Sequence, residues 1–120
     1  MKENPIRDKS FAFALRMVKL AKYLESRKKE FVLSRQVLRS GTAIGALVRE
    51  AEHAESKADF IHKMSIALKE ANETLYWLEL LHQGGYIDEE SFKSISSDSE
   101  ELIKLLIAIV KTSKVSKRSE

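Results

Sequence analysis

Residues 56–85 read SKADFIHKMSIALKEANETLYWLELLHQGG, and this stretch decides the fold class. Ser56 precedes the apolar run and Asp59 follows three residues on, a spacing that resembles a capping box with aspartate in place of glutamate. At 100° per residue, Phe60, Ile61, Met64, Ala67, Leu68, Ala71, Leu75 and Leu78 fall on one side. Gly84-Gly85 stops the pattern, because glycine takes the left-handed conformation of a helix C-cap. The spacing predicts a helix over 57–83. Its back carries Ile66, Trp77 and Leu80 interleaved with Glu70 and Glu73. Large apolar groups rimmed by charge mark a protein–protein contact.

The same signals recur on both sides. Upstream, Ser34 is the expected cap of a helix over 34–55, with Leu33 and Leu38 spaced as a hydrophobic staple. Val37, Gly41, Ile44, Val48 and Ala51 form its apolar stripe. Gly41 and Gly45 each cost about 1 kcal/mol of helix propensity against alanine. Close approach of a neighbouring helix is the compensation expected at both. Further upstream a helix is expected from Asp8 or Ser10 to Lys29, with Pro5 lying before it. Two adjoining stripes on it, one through Phe13, Met17, Leu20 and Leu24, the other through Phe11, Leu15 and Val18, span roughly 220°. That is wider than the ~100° a surface helix needs, so part of the arc should touch something beyond its own core. Downstream, Asp88 followed by Glu89 and Glu90 opens a helix over 89–114, since acidic groups suit the positive helix end. Residues 115–120 are expected to form a flexible basic tail. Short links between four long helices give one all-α domain over 1–120, an antiparallel up-down-up-down four-helix bundle.

Composition narrows the function classes. The 120 residues include one proline and four glycines, too few for a turn-rich β-sandwich or barrel. No cysteine is present, which excludes disulfides, thiolate catalysis and cysteine-ligated metal, and fits a reducing cytoplasm. The longest apolar run, Leu105 to Val110, is far short of the ~20 residues that cross a bilayer, and the start lacks the apolar stretch of a signal peptide. Three carboxylate–histidine pairs sit at i, i+3: Glu50/His53, Asp59/His62 and Glu79/His82. A di-metal bundle needs two such pairs facing inward and further inward carboxylates, whereas only Glu79/His82 faces the core and the other two face out. No serine–histidine–carboxylate set or glycine-rich phosphate loop can be placed. The expectation is therefore a non-enzyme without cofactor or metal.

Charge is segregated. Residues 1–39 hold 11 Lys/Arg against 4 Asp/Glu, residues 40–101 hold 5 against 13, and residues 102–120 hold 5 against 1. Both ends are basic and the middle is acidic. In an antiparallel bundle the first and last helices lie side by side, so the two basic segments are expected to merge into one phosphate-attracting patch. The candidate nucleic-acid contacts are Arg16, Lys19, Lys22, Lys28, Lys29, Arg35 and Arg39, with Lys111, Lys114, Lys117 and Arg118 from the last segment. No platform of aromatic residues among cations is evident in the sequence. Recognition is accordingly expected to address backbone and shape, as in structured RNA.

The segment from Leu33 to Ile87 closely resembles the bacterial four-helix bundle family named after proteins encoded in intervening sequences of 23S rRNA genes, also labelled S23 ribosomal protein. The most specific residues are Arg39-Ser40-Gly41-Thr42 with Ile44-Gly45, then Ser56-Lys57-Ala58-Asp59-Phe60, then Ala71-Asn72-Glu73-Thr74 with Tyr76-Trp77-Leu78. The similarity runs from about Phe11 to Lys114. It implies a bundle that assembles as a ring-like homopentamer. It also implies kinship with the accessory proteins of diversity-generating retroelements, pentamers with basic surfaces that bind nucleic acid and a reverse transcriptase. Two positions depart from the pattern: Leu47 replaces a usual asparagine and Leu75 a usual charged residue, so any polar contact of that asparagine is missing here. The family carries no agreed catalytic residues. A ring joins two different surfaces. Phe11, Leu15 and Val18 of one copy are expected to meet Ile66, Trp77 and Leu80 of the next, with Trp77→Ala weakening assembly first.

Overall fold

The structure is a computed structural model that describes residues 3–119, with side chains described through Val115. Among the described residues there are four α-helices and no strand: α1 Pro5–Arg27, α2 Leu33–Ala51, α3 Lys57–Gln83 and α4 Glu89–Ser119. Each helix lies against the next, and α4 closes back on α1 through a thinner contact. Paired residues show the antiparallel sense, because as one number rises its partner's falls. Along α2 and α3, Glu50 meets Lys63 and Ser40 meets Thr74, whose hydroxyls lie 2.8 Å apart. Along α1 and α4, Lys9 Nζ reaches Glu101 at 2.8 Å and Arg16 reaches Asp98 at 2.7 Å. The core runs the length of the bundle through Phe13, Met17, Leu24, Val37, Ile44, Met64, Leu78, Leu102 and Leu106, all essentially inaccessible to water.

Local chemistry sets the helix ends. Ser56 caps α3, its hydroxyl accepting the Asp59 amide at 3.0 Å, and Asp59 returns a bond to the Glu55 amide. Asp88 accepts the Ser91 amide at 2.8 Å at the start of α4, and Gly85 takes φ +84 after α3. Several boundaries differ from expectation. Helix α1 begins at Pro5, not Asp8 or Ser10, because Asn4 caps it by accepting the Arg7 amide and proline suits the first helical position. Ser34 is not the cap of α2. It lies inside the helix, buried, while the Glu30 carboxylate accepts the amides of Val32, Leu33 and Ser34 at 3.2, 2.9 and 2.8 Å. A carboxylate at that helix end satisfies orphan donors and opposes the helix dipole. Helix α2 stops at Ala51, short of residue 55, and α4 runs on to Ser119, past residue 114.

Gly41 and Gly45 face α1, as expected. A methyl placed on Gly41 would stand 2.3 Å from Met17 Cγ, and one on Gly45 would stand 3.3 Å from the Ser10 carbonyl oxygen.

Candidate nucleic-acid interface

The end of α1 is built by a lysine in a glycine conformation. Lys28 and Glu30 both donate their amides to the Leu24 carbonyl, at 3.2 and 3.0 Å, and Lys29 between them holds φ 54. This is a helix C-cap in which the left-handed residue is normally glycine. A side chain in that conformation costs about 1–2 kcal/mol. Lys29→Gly is therefore expected to raise folding stability by about 0.5–1 kcal/mol, after allowing for the added freedom of the unfolded chain. A urea unfolding curve checks it.

The C-terminal half of α1, this turn and the first turn of α2 carry Lys19, Lys22, Arg27, Lys28, Lys29 and Arg35. None of the six has an ion-pair partner among the described residues, and all are exposed. The two acids of the same stretch are already engaged: Glu30 accepts the amides of Val32, Leu33 and Ser34, and Glu25 accepts the Ser34 hydroxyl at 3.3 Å. Neither acid is therefore drawn into an ion pair with these cations.

Other candidates are committed elsewhere. The Arg16 guanidinium donates to Asp98 Oδ2 at 2.7 Å and to Ser94 Oγ at 3.0 Å, tying α1 to α4. The Arg39 guanidinium bonds Glu70 at 3.2 Å and Glu73, tying α2 to α3. Glu73 also accepts the Trp77 indole N–H at 2.9 Å, and that bond, with Arg39, holds its carboxyl below the usual range. Both arginines are held in ion pairs between helices at the bundle surface.

The two basic segments do not merge. Lys9 lies abreast of Glu101. From that level, α1 rises ~28 Å to Lys28 and α4 runs ~20 Å the opposite way to Lys114, at 1.5 Å per residue. Lys111 and Lys114 therefore sit at the far end of a molecule 52 Å long. They are exposed and unpaired among the described residues, but they form a separate group. The side chains of Lys117 and Arg118 lie outside the described residues.

Sequence reasoning passed over Arg27, Tyr23 and Phe31. Tyr23 and Phe31 are exposed, at 42% and 49%, among the six cations. The signal was present as aromatics within four residues of Lys19, Arg27 and Arg35. Tyr23 also stands at a cleft of about 540 Å3 between α1 and the start of α4, with Lys19, Leu20, Ile87, Asp88, Ser91 and Ile95. The Ser91 backbone amide holds the Asp88 carboxyl there below its ordinary value.

Of the surfaces expected to join copies, Phe11, Leu15 and Val18 form an exposed stripe on α1, and the Arg49 guanidinium lies 5.1 Å from the Phe11 ring centre. On α3 Leu80 is exposed, but Ile66 and Trp77 are half-buried. Trp77 packs against the core, held by its bond to Glu73, and Tyr76 is the aromatic that faces out, edge-on to it. Trp77 is thus less outward than its spacing implied.

Among the described residues no group of three or more acidic or histidine side chains is placed to hold a metal ion, and no helix is long and apolar enough to cross a membrane. His82 stacks on Phe92, ring centres 4.4 Å apart.

None of the curated proteins matches this chain. Among solved structures it is similar to a crystal structure at 1.70 Å of a protein with unknown function from the S23 ribosomal protein family of Bacteroides thetaiotaomicron. The two are 60% identical with a TM-score of 0.88, over 88% of this chain and 98% of that one. The family model described as 23S rRNA-intervening sequence protein matches residues 2–108. With Gly41 seated on Met17, Ser56 capping α3 and Thr74 bonded to Ser40, the motif residues hold the helix contacts of this bundle, and the chain belongs to the 23S rRNA-intervening sequence protein family.

Proposed function

We propose that this protein is a non-enzymatic homo-oligomer of the cytoplasm, a pentamer by resemblance, that binds structured RNA or another nucleic acid through the cationic turn between α1 and α2. One observation carries the reading: six neighbouring cations have no ion-pair partner among the described residues while the acids beside them are engaged with backbone and serine. Lys29, at φ 54, sets a charged and exposed side chain in the turn itself. The exposed stripe of Phe11, Leu15 and Val18 supports self-association. Repeating one patch around a ring multiplies weak phosphate contacts into avidity. The family and the structural neighbour carry names that refer to 23S rRNA and to a ribosomal protein, so structured ribosomal RNA is the first probe.

Light scattering of the chain, alone and with that RNA, tests the reading. The expected result is a multimer that holds RNA at ~50 mM salt and releases most of it at ~200 mM. A monomer, or no RNA complex at the lower salt, overturns it. A second reading, a protein scaffold or accessory subunit for a nucleic-acid enzyme such as a reverse transcriptase, draws on exposed Tyr76 and Leu80 beside Glu73 and Glu79. A partner retained after nuclease treatment favours it.

A further inference from the structure

A cationic surface alone holds any polyanion. The turn between α1 and α2 offers more than charge. Phe31 is half-exposed, and its chain segment is fixed on both sides. Before it, Lys28 and Glu30 hang from the Leu24 carbonyl; after it, the Glu30 carboxylate grips three successive amides. An aromatic ring carried by a pinned backbone loses little freedom when another ring stacks on it. On the flank of α1, Lys19, Tyr23 and Arg27 follow one another at i, i+4, so a second exposed ring stands between two unpaired cations. Rings alternating with cations are what a strand of unpaired nucleotides requires, one group stacking on bases and the other meeting phosphates. A paired duplex buries its base faces and offers only phosphates and groove edges.

We infer that the Phe31 and Tyr23 rings, set among Lys19, Arg27, Lys28 and Lys29, form a stacking site for unpaired nucleotides, so that single-stranded RNA segments bind this end of the bundle in preference to duplex. The inference rests on the nucleic-acid reading above and names its ligand class. An anionic membrane surface is the competing occupant for Phe31 and Val32, which protrude together. It fits less well. A flat bilayer reaches only the tip of the bundle, whereas Lys19 lies ~12 Å back from Arg27 along the helix, where a flexible strand can follow.

The experiment is fluorescence anisotropy of the full chain with labelled oligouridine and with a blunt RNA duplex of equal length, at ~50 mM salt. Oligouridine is expected to bind more tightly. Phe31→Ala should weaken oligouridine about tenfold, the scale of one lost stack, and change duplex binding less than twofold. Phe31→Trp should retain the preference. Phe31 is exposed, so the alanine variant keeps its core. Equal binding of both probes by the wild type, or an equal effect of Phe31→Ala on both, overturns the stacking site while leaving phosphate binding in place. Binding of neither probe removes the nucleic-acid reading itself and this inference with it. Capture of the wild type, and not of Phe31→Ala, by phosphatidylserine vesicles without any oligouridine preference overturns the stacking site in favour of a membrane surface.

Discussion

Gly41→Leu is expected to destabilise the fold by about 3 kcal/mol, a large share of the margin by which a domain of this size is folded. Leucine has the better helix propensity by roughly 0.8 kcal/mol, so an effect of this sign comes from packing. The first carbon of the new side chain would stand 2.3 Å from Met17 Cγ and 2.8 Å from Sδ. Met17 is fully buried in the core, so its displacement disturbs the packing there. Either α1 and α2 separate, opening the core around Ile44 and Leu24, or Met17 leaves its rotamer. Both outcomes fall in the overpacking range. The decisive measurement is a double-mutant cycle in urea. Met17→Ala alone should cost about 2–5 kcal/mol by leaving a cavity. The double variant should cost clearly less than the two together, because the leucine enters the space that the methionine leaves. Strict additivity would mean that Gly41 is not held small by α1.

The contact at Gly41 was legible in the sequence because glycine inside an apolar helical stripe has few other uses. Ser56, Asp88 and Gly84-Gly85 were legible for a similar reason, each being a short-range device that needs no knowledge of the partner helix. Errors arose where two devices compete or where register decides. Ser34 and Glu30 can both cap α2, and only the chain reversal after Lys29 brings the Glu30 carboxylate over the amides. Trp77 lies at the edge of a broad apolar arc, and periodicity does not say how far a neighbouring helix covers such an edge. Arg16 and Arg39 looked like free cations because their acids lie 82 and 31–34 positions away in sequence. The expected single basic patch failed on direction. Side-by-side antiparallel helices bring a basic C-terminal half of α1 and a basic C-terminal end of α4 to opposite ends of the molecule. Tyr23 and Phe31 were missed because neither falls in an apolar helical stripe and the cations around them were read for charge alone.

The separation of the two basic ends supplies the sharpest test of where nucleic acid is held. Reversing Lys28, Lys29 and Arg35 together to glutamate is expected to weaken RNA binding on the order of 1,000-fold at ~50 mM salt, since three phosphate contacts are lost and three repulsions added. The slope of log affinity against log salt should fall by about two to three, one for each counterion no longer released. The folded state should survive, because all three side chains are exposed and none is in an ion pair that the bundle uses. Reversal of Lys111 and Lys114 is the matched control. These residues stand ~48 Å away along the bundle, several Debye lengths at either salt, so their charge is not felt at the α1–α2 turn. Their reversal should change affinity by less than about threefold, and circular dichroism should report the same helix content for both variants. A larger loss from the α4 pair than from the α1–α2 trio would move the interface to the other end of the molecule. Equal losses would replace a site with diffuse attraction over the whole surface. The expected asymmetry follows from the acids. Glu25 and Glu30 are turned to serving Ser34 and the amides that open α2, and this leaves the cations of the turn without a direct ion pair among the described residues.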